Sequence, residues 1–282
     1  MYNTTTGRWT VPKFVKSPTL SIHVLAPGLH CARRDPDGEI LIFRPDVNAA
    51  RMRRSATFDS MPEVPEDVFL ESVQLAVRGN AEYFCPHEVE GSLYIRPFQF
   101  CLGTQIGAIK ALVLDEFDRA ATRGSGVVKI GGNYAPVIRW IAETMKKGYT
   151  LLLYLGSQTQ TEVEEFSTSG FAGIQKGEKE TTVVIADSKS ALESITADSS
   201  AKIAVSLGWR VEKRTLPTLK EVLVAGTASG LAPVSCIHRK STKETFKFIP
   251  DGPAVEPLWG RLKSTQNGTA IDGSGWCHKL LA

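Results

Sequence analysis

Lys129 stands between apolar neighbours, Val127 and Val128 before it and Ile130 after it, and is followed at once by Gly131 and Gly132. A lysine buried in such surroundings loses proton affinity, and the neutral amine that results is a nucleophile towards carbonyl carbon. The same pattern also fits a lysine whose methylene stem lies on apolar surface while its ammonium group stays in water. Glu164-Glu-Phe-Ser-Thr-Ser-Gly170 puts two carboxylates at a strand end before a hydroxyl-rich turn, which suits a site acid or a solvated strand end. Val224-Ala-Gly-Thr-Ala-Ser-Gly230 is a run of small residues through which backbone N–H groups can approach an anion, or an ordinary turn. Ser194-Ile-Thr196 reads as an N-cap opening a helix whose N-terminus attracts negative charge.

Other chemistries find no support. Gly126 to Gly131 has roughly P-loop spacing, but Gly132 stands where the lysine is required, and no G-x-G-x-x-G, G-x-S-x-G or H-E-x-x-H occurs. Cys31, Cys85, Cys101, Cys236 and Cys277 are far apart with no C-x-x-C pair, so buried thiols are expected rather than bridges, and no metal. With 33 Lys+Arg against 30 Asp+Glu the net charge is only +3, and the basic residues are scattered. Small molecules are therefore the expected partners, with no nucleic acid. No apolar run approaches the roughly 18 residues of a membrane helix. The opening Met1-Tyr-Asn-Thr-Thr-Thr6 lacks the layout of a signal peptide. The expectation is no membrane and a cytoplasmic chain, with a mitochondrial address left open.

The elements that must hold these residues follow from periodicity. Strands are expected at Leu20–Leu25, Glu39–Phe43 after the turn Asp35-Pro-Asp-Gly38, and Ser92–Phe100, where Tyr94, Arg96 and Phe98 share one side. Helices are expected at Asp46–Phe58 and at Glu66–Arg78, which carries Phe69, Val73, Ala76 and Val77 on one face. The Gly- and Ser-rich texture from Gly124 places a domain boundary just before it, giving a small unit over 1–122 and a larger one over 123–282. Beyond it come a helix from Ala135, strands near Thr150–Tyr154, Thr161–Glu165, Phe171–Ile174 and Thr181–Ile185, and a helix over Ala197–Leu207. Strands at Trp209–Lys213, Glu221–Ala225 and Ser235–Arg239 and a helix at Glu256–Ser264 complete the reading. Helices scattered irregularly among many strands imply an α+β (mixed α/β) architecture.

Taken in order, Lys129-Ile-Gly-Gly-Asn-Tyr-Ala-Pro136, Glu164-Glu-Phe-Ser-Thr-Ser169, Ser194-Ile-Thr196 and Gly226-Thr-Ala228 resemble the branched-chain amino-acid aminotransferases, pyridoxal-phosphate enzymes of fold type IV. The likeness extends through Phe43-Arg-Pro-Asp-Val-Asn-Ala-Ala-Arg-Met-Arg-Arg-Ser55, Gly91-Ser-Leu-Tyr-Ile-Arg-Pro97 and Gly275-Trp-Cys-His278. Val113-Leu-Asp-Glu-Phe-Asp-Arg-Ala-Ala121 is most similar to the fungal branch, some members of which supply secondary metabolism.

The resemblance implies a small N-terminal α/β domain, a larger β-rich cofactor domain and a homodimer. It makes Lys129 the catalytic lysine that joins pyridoxal 5'-phosphate and moves the substrate α-proton. Glu165 would lie against the pyridine nitrogen and Tyr134 near the phenolic oxygen. Arg51, Ile195, Thr196 and Thr227 would hold the phosphate. The substrate α-carboxylate would meet Thr227 and Ala228, with Thr168 nearby and Tyr94 and Arg96 reaching across from the small domain. Amino acids and 2-oxo acids would be the substrates, branched-chain L-amino acids and 2-oxoglutarate above all.

The chain also departs from the family. Leu29-His30 runs directly into Cys31-Ala-Arg-Arg34, where the family has an aromatic-Glu-Gly stretch that walls the substrate pocket. Gly107 to Ala111 and Lys213 to Lys220 are likewise short, Gly170 replaces a commoner Asn, and Ala197 a commoner Arg. Two alternatives therefore stand beside the aminotransferase: a cofactor-binding relic with little turnover, and another fold-type IV enzyme such as a D-amino-acid transaminase or an aminodeoxychorismate lyase.

Overall fold

Two large sheets with helices laid on them, and a separate two-stranded antiparallel sheet near the start of the chain, organise the described residues. The computed structural model describes residues 2–3, 8–9, 30–84, 87, 92–96, 99–103, 108–178, 180–214, 219–227, 229–250, 252–270 and 275–280. In chain order the first elements are β1 (Tyr2–Asn3), β2 (Arg8–Trp9), β3 (His30–Arg34), β4 (Ile40–Phe43), α1 (Pro45–Phe58), α2 (Glu66–Arg78), β5 (Ser92–Arg96) and β6 (Gln99–Gly103). Then follow β7 (Ile109–Val113), α3 (Ile138–Lys146), β8 (Leu151–Leu155), β9 (Val163–Phe166), β10 (Ser169–Lys176), β11 (Thr181–Ala186) and α4 (Ile195–Ser206). The last are β12 (Arg210–Arg214), β13 (Glu221–Gly226), β14 (Gly230–Arg239), β15 (Glu244–Lys247), α5 (Val255–Gln266) and β16 (Cys277–Lys279). The architecture is α+β, as the scattered helices imply.

The smaller sheet runs β16-β4-β3-β5-β6, antiparallel throughout. Glu66 and Asp67 in the first turn of α2 and Arg78 in its last complement the helix dipole. Phe69, Val73 and Val77, each four residues apart, bury one stripe of α2 in a core with Ala32, Ile40, Ile42 and Ala49.

The larger sheet runs β12-β11-β10-β13-β14-β7-β8-β9, with β15 on β14. Because β9 pairs with β10 as well as β8, six strands close into a hydrogen-bonded ring. Alternate residues, among them Ile109, Ala111, Val113, Leu153, Phe166, Phe171, Val222, Val224 and Val234, cluster on one face of it. On the other face, Ala172, Ile174, Leu223 and Ala225 pack with Ala197, Ile203 and Ala204 of α4 and Leu258 and Leu262 of α5. Leu112, Leu152 and Tyr154 pack with residues of the α3 region.

Several expectations are corrected. Ile109–Val113, assigned by the boundary at 122/123 to the small unit, pairs in parallel with β14 and β8, so the change of sheet falls before Ile109. Cys277–Lys279 returns to the small sheet beside β4. Ser92–Phe100 is two strands, paired antiparallel as β5 and β6. Val127–Ile130, apolar enough in composition for a strand, forms none: Val127 is exposed, and side-chain hydrogen bonds hold this stretch in place of a ladder. Tight turns over Gly131–Asn133 and Ala135–Val137, the second containing Pro136, delay α3 to Ile138. The strand expected at Leu20–Leu25 lies outside the described residues.

Gly230 opens β14 with φ +60°, and a Cβ there would meet the Trp259 ring at 2.3 Å. Gly230→Ala is expected to cost about 2 kcal/mol or more, from backbone strain and overpacking together. Urea unfolding checks this; an unchanged midpoint would contradict it.

Candidate active site

Lys129 lies on an irregular stretch that borrows its rigidity from neighbouring side chains. Its backbone N–H donates to Ser55 Oγ at 3.0 Å, and the Ser55 hydroxyl donates to Arg51 O at 3.1 Å, so α1 anchors the lysine directly. Asn133, 3% exposed, donates to Ser125 O at 2.6 Å and Val128 O at 2.8 Å and accepts from Ser125 Oγ. The Asn133 clamp is what the Gly-Gly-Asn run after the lysine provides.

The Lys129 Nζ donates to Tyr134 Oη at 2.6 Å and lies 4.5 Å from that ring's centre. Burial lowers the Lys129 pKa to about 8; Arg51 and Arg119 push the same way and Glu165 opposes them. Tyr134 is driven up to about 12, chiefly by burial and then by Glu165. Near neutrality the phenol therefore keeps its proton, while the lysine is poised to lose one.

Glu165 sits on β9 opposite Tyr154 of β8 and opposite Gly170 of β10. Its carboxylate is ion-paired with Arg119, whose side chain is 3% exposed. Burial raises the Glu165 pKa to about 7, against the pull of Arg119, the Leu192 N–H and Lys129. Arg119 also donates to Ser190 O at 2.8 Å and lies over the Tyr154 ring at 5.7 Å. Alternation does not separate Glu164 from Arg119: the register against β8 shifts here, Tyr154 facing Glu165 and Leu155 facing Val163, and Arg119 acts on the Glu164 carboxyl as well. Glu164 is not the solvated strand end that its sequence also suits: it is 4% exposed, accepts from Ser188 Oγ at 3.2 Å, and has its pKa raised by burial.

The N-terminus of α4 forms a second wall. Ser194 Oγ accepts from Ala197 N at 3.2 Å, the expected cap, and donates to Ala225 O at 3.0 Å, tying the helix to the end of β13. The first N–H groups of a helix have no intrahelical acceptor, which leaves those of Ile195 and Thr196 for a ligand. Gly170 lies under this cap, where a Cβ would come 2.7 Å from Ser194 Cβ, so the serine occupies the space of a larger side chain. Arg51 donates to Asn48 Oδ1 at 3.0 Å, and burial lowers its pKa.

Lys129, Tyr134, Glu165 and Arg51 are thus brought within electrostatic reach of one another. Thr227 is half-buried in the turn between β13 and β14, and Thr168 is exposed in the turn before β10. Tyr94 and Arg96 lie on β5. Ala228 falls outside the described residues. Arg119, Ser55 and Asn133 were not singled out from sequence. Arg119 stands inside the Val113–Ala121 segment that carries the family likeness, and that was the available signal.

No family model matches the chain. The sequence is 44% identical to aminotransferase TOXF of Cochliobolus carbonum over 322 residues, covering 99% of this chain and 90% of that protein. It is 38% identical to branched-chain amino acid aminotransferase gloG of Glarea lozoyensis, covering 98% and 89%. The chain belongs to the branched-chain aminotransferase family. A branched-chain aminotransferase from Thermobaculum terrenum, solved in its PLP form, shares the fold type at TM-score 0.72 and 20% identity, over 90% of this chain and 88% of that one. The alignment to TOXF is longer than the 282 residues of this family member, so parts of the relative have no counterpart here. Among its described residues no helix is long and apolar enough to cross a membrane, and no cluster of metal-binding side chains occurs.

The charges of the site predict a pH signature. Glu165 binds its proton more tightly folded than unfolded, so its contribution to stability is full below its ordinary value of 4.5 and is lost as pH rises through about 7. Urea unfolding of the ligand-free protein should show this loss, and Glu165→Gln should remove it. A decline of the same size in Glu165→Gln would assign it to another group.

Proposed function

We propose that the protein is a pyridoxal 5'-phosphate-dependent aminotransferase moving amino groups between branched-chain L-amino acids and 2-oxoglutarate in a fungal secondary-metabolite pathway. The observation that carries this reading is the buried Lys129 amine, 2.6 Å from Tyr134 Oη, with its pKa lowered to about 8.

The residues present fit the cofactor. The buried Tyr154 Oη and Arg119 Nε find no hydrogen-bond partner among the described residues, which suits polar surroundings completed by a ligand. When bound, the pyridine ring supplies an electron sink for the carbon that loses its proton. Arg51, the Ile195 and Thr196 N–H groups and Thr227 hold the phosphate, a dianion suited to a guanidinium and a helix N-terminus. Glu165 keeps a proton at the pyridine nitrogen, with Arg119 fixing the carboxylate. Tyr134 serves the phenolic oxygen and also orients the lysine. Lys129, as a free amine, takes the substrate α-proton and returns it at the cofactor carbon. Thr227 and Ala228 receive the substrate α-carboxylate, with Thr168, Tyr94 and Arg96 completing that pocket.

The missing alignment positions favour a second reading, in which cofactor binding outlasts turnover. An apolar pocket wall contributes roughly 1.5–3 kcal/mol for each large side chain it desolvates, and the phosphate cup does not depend on it. The first reading also makes the protein a homodimer, supported by the exposed Met52, Phe58 and Met61 on and beside α1 and Leu75 on α2; light scattering tests it.

Borohydride reduction with pyridoxal phosphate followed by peptide mapping should leave the pyridoxyl group on Lys129, and Lys129→Ala should abolish it. Label on another lysine would defeat the assignment. In the same preparation, glutamate formed from 2-oxoglutarate and leucine decides between the two readings: labelling without turnover supports the relic.

A further inference from the structure

Arg44 stands out among the described residues. Of the non-glycine residues with positive φ, Arg44, Ser60, Gln160 and Lys243, it is the buried one, with φ 47° and ψ 53°. Such a conformation is strained for a residue with a Cβ and persists where surrounding contacts enforce it. Those contacts are specific. The Arg44 N–H donates to Trp276 O at 2.7 Å, its guanidinium lies over the Trp276 ring at 5.0 Å, and its carbonyl accepts from Asn48 Nδ2 at 2.8 Å. The guanidinium then crosses to α4, donating to Ser199 Oγ at 2.8 Å and pairing with Asp198.

Asp198 occupies the first turn of α4, the helix assigned above to the cofactor phosphate. A carboxylate there stabilises a bare helix end but repels a second anion. The Arg44 side chain is 6% exposed, so little water screens its charge. Lys202 shares the same carboxylate oxygen at 3.0 Å, but from the surface. Burial alone would raise the Asp198 pKa; the bonds from Arg44 and Lys202 more than offset that and hold it below the usual carboxylate range, so the negative charge persists and needs its partners.

We propose that Arg44 is a positioning residue for the cofactor phosphate, acting through Asp198: by neutralising that carboxylate it leaves the N-terminus of α4 able to accept a dianion. The inference rests on the cofactor reading above. It separates charge from scaffolding, because a residue that merely braced α4 would serve any ligand of the site, and one that neutralises Asp198 serves only anions.

The test compares the ligand-free wild type with Arg44→Met, Arg44→Lys, Asp198→Asn and the Arg44→Met/Asp198→Asn pair, measuring affinity for pyridoxal phosphate, inorganic phosphate and pyridoxal by calorimetry. Arg44→Met should weaken both phosphate-bearing probes about tenfold and pyridoxal less than about twofold, with Arg44→Lys near wild type. Adding Asp198→Asn should restore phosphate affinity to within about threefold of wild type. Asp198→Asn alone should tighten it, which keeps the test alive should Arg44→Met unfold. Equal weakening of pyridoxal, or a pair as weak as Arg44→Met, overturns the proposal. A wild type that binds phosphate but not pyridoxal phosphate defeats the cofactor reading instead, and the phosphate measurements still judge Arg44.

Discussion

Burying a lysine and a carboxylate within reach of two arginines is the constraint on which the rest of the site depends. Desolvation disfavours the charged form of each group, and only their mutual arrangement offsets it. Lys129 and Glu165 are both driven towards neutrality, with pKa values of about 8 and about 7. The guanidinium groups of Arg119 and Arg51 both act on Lys129. The lysine and the glutamate are thereby brought close to neutral pH from opposite sides, Glu165 holding its proton more tightly and Lys129 less tightly than in water.

That arrangement needs walls that do not move, and the two sheets supply them differently. Glu165 and Tyr154 are paired across neighbouring strands of a closed ring. Lys129 has no ladder and depends on Ser55 from one side and Asn133 from the other. Ser55 belongs to α1, which also carries Arg51, so the helix that offers a guanidinium to the site also places the amine. The two functions of α1 cannot be varied independently.

Much of this was legible in sequence. Ser194 announces the start of α4, whereas the bulge that breaks alternation at Glu164 leaves no mark in Glu164-Glu165-Phe166. The four-residue spacing of Phe69, Val73 and Val77 marks the buried face of α2. What was not legible is non-local. Arg119 becomes part of the site only by meeting Glu165 and Ser190, far away along the chain, and no local pattern distinguishes a buried arginine from a solvated one. Val127–Ile130 has strand composition but finds no edge to pair with, so propensity yields to side-chain clamps. The sheet to which Ile109–Val113 belongs is decided by partners on both of its sides, β14 and β8, and not by its own five residues.

The ring closure at β9 bears on fidelity of assembly. A slip of one residue exchanges the faces of a strand, and here it would replace Glu165 by Glu164, one carboxylate by another. Charge and hydrogen-bonding capacity would look the same from within the cleft, so polar chemistry is a poor judge of register at this seam. The judge is Phe166, 1% exposed and stacked against Phe171 at 5.4 Å between ring centres. An apolar side chain on the far side of the strand from Arg119 thereby decides which glutamate faces the lysine.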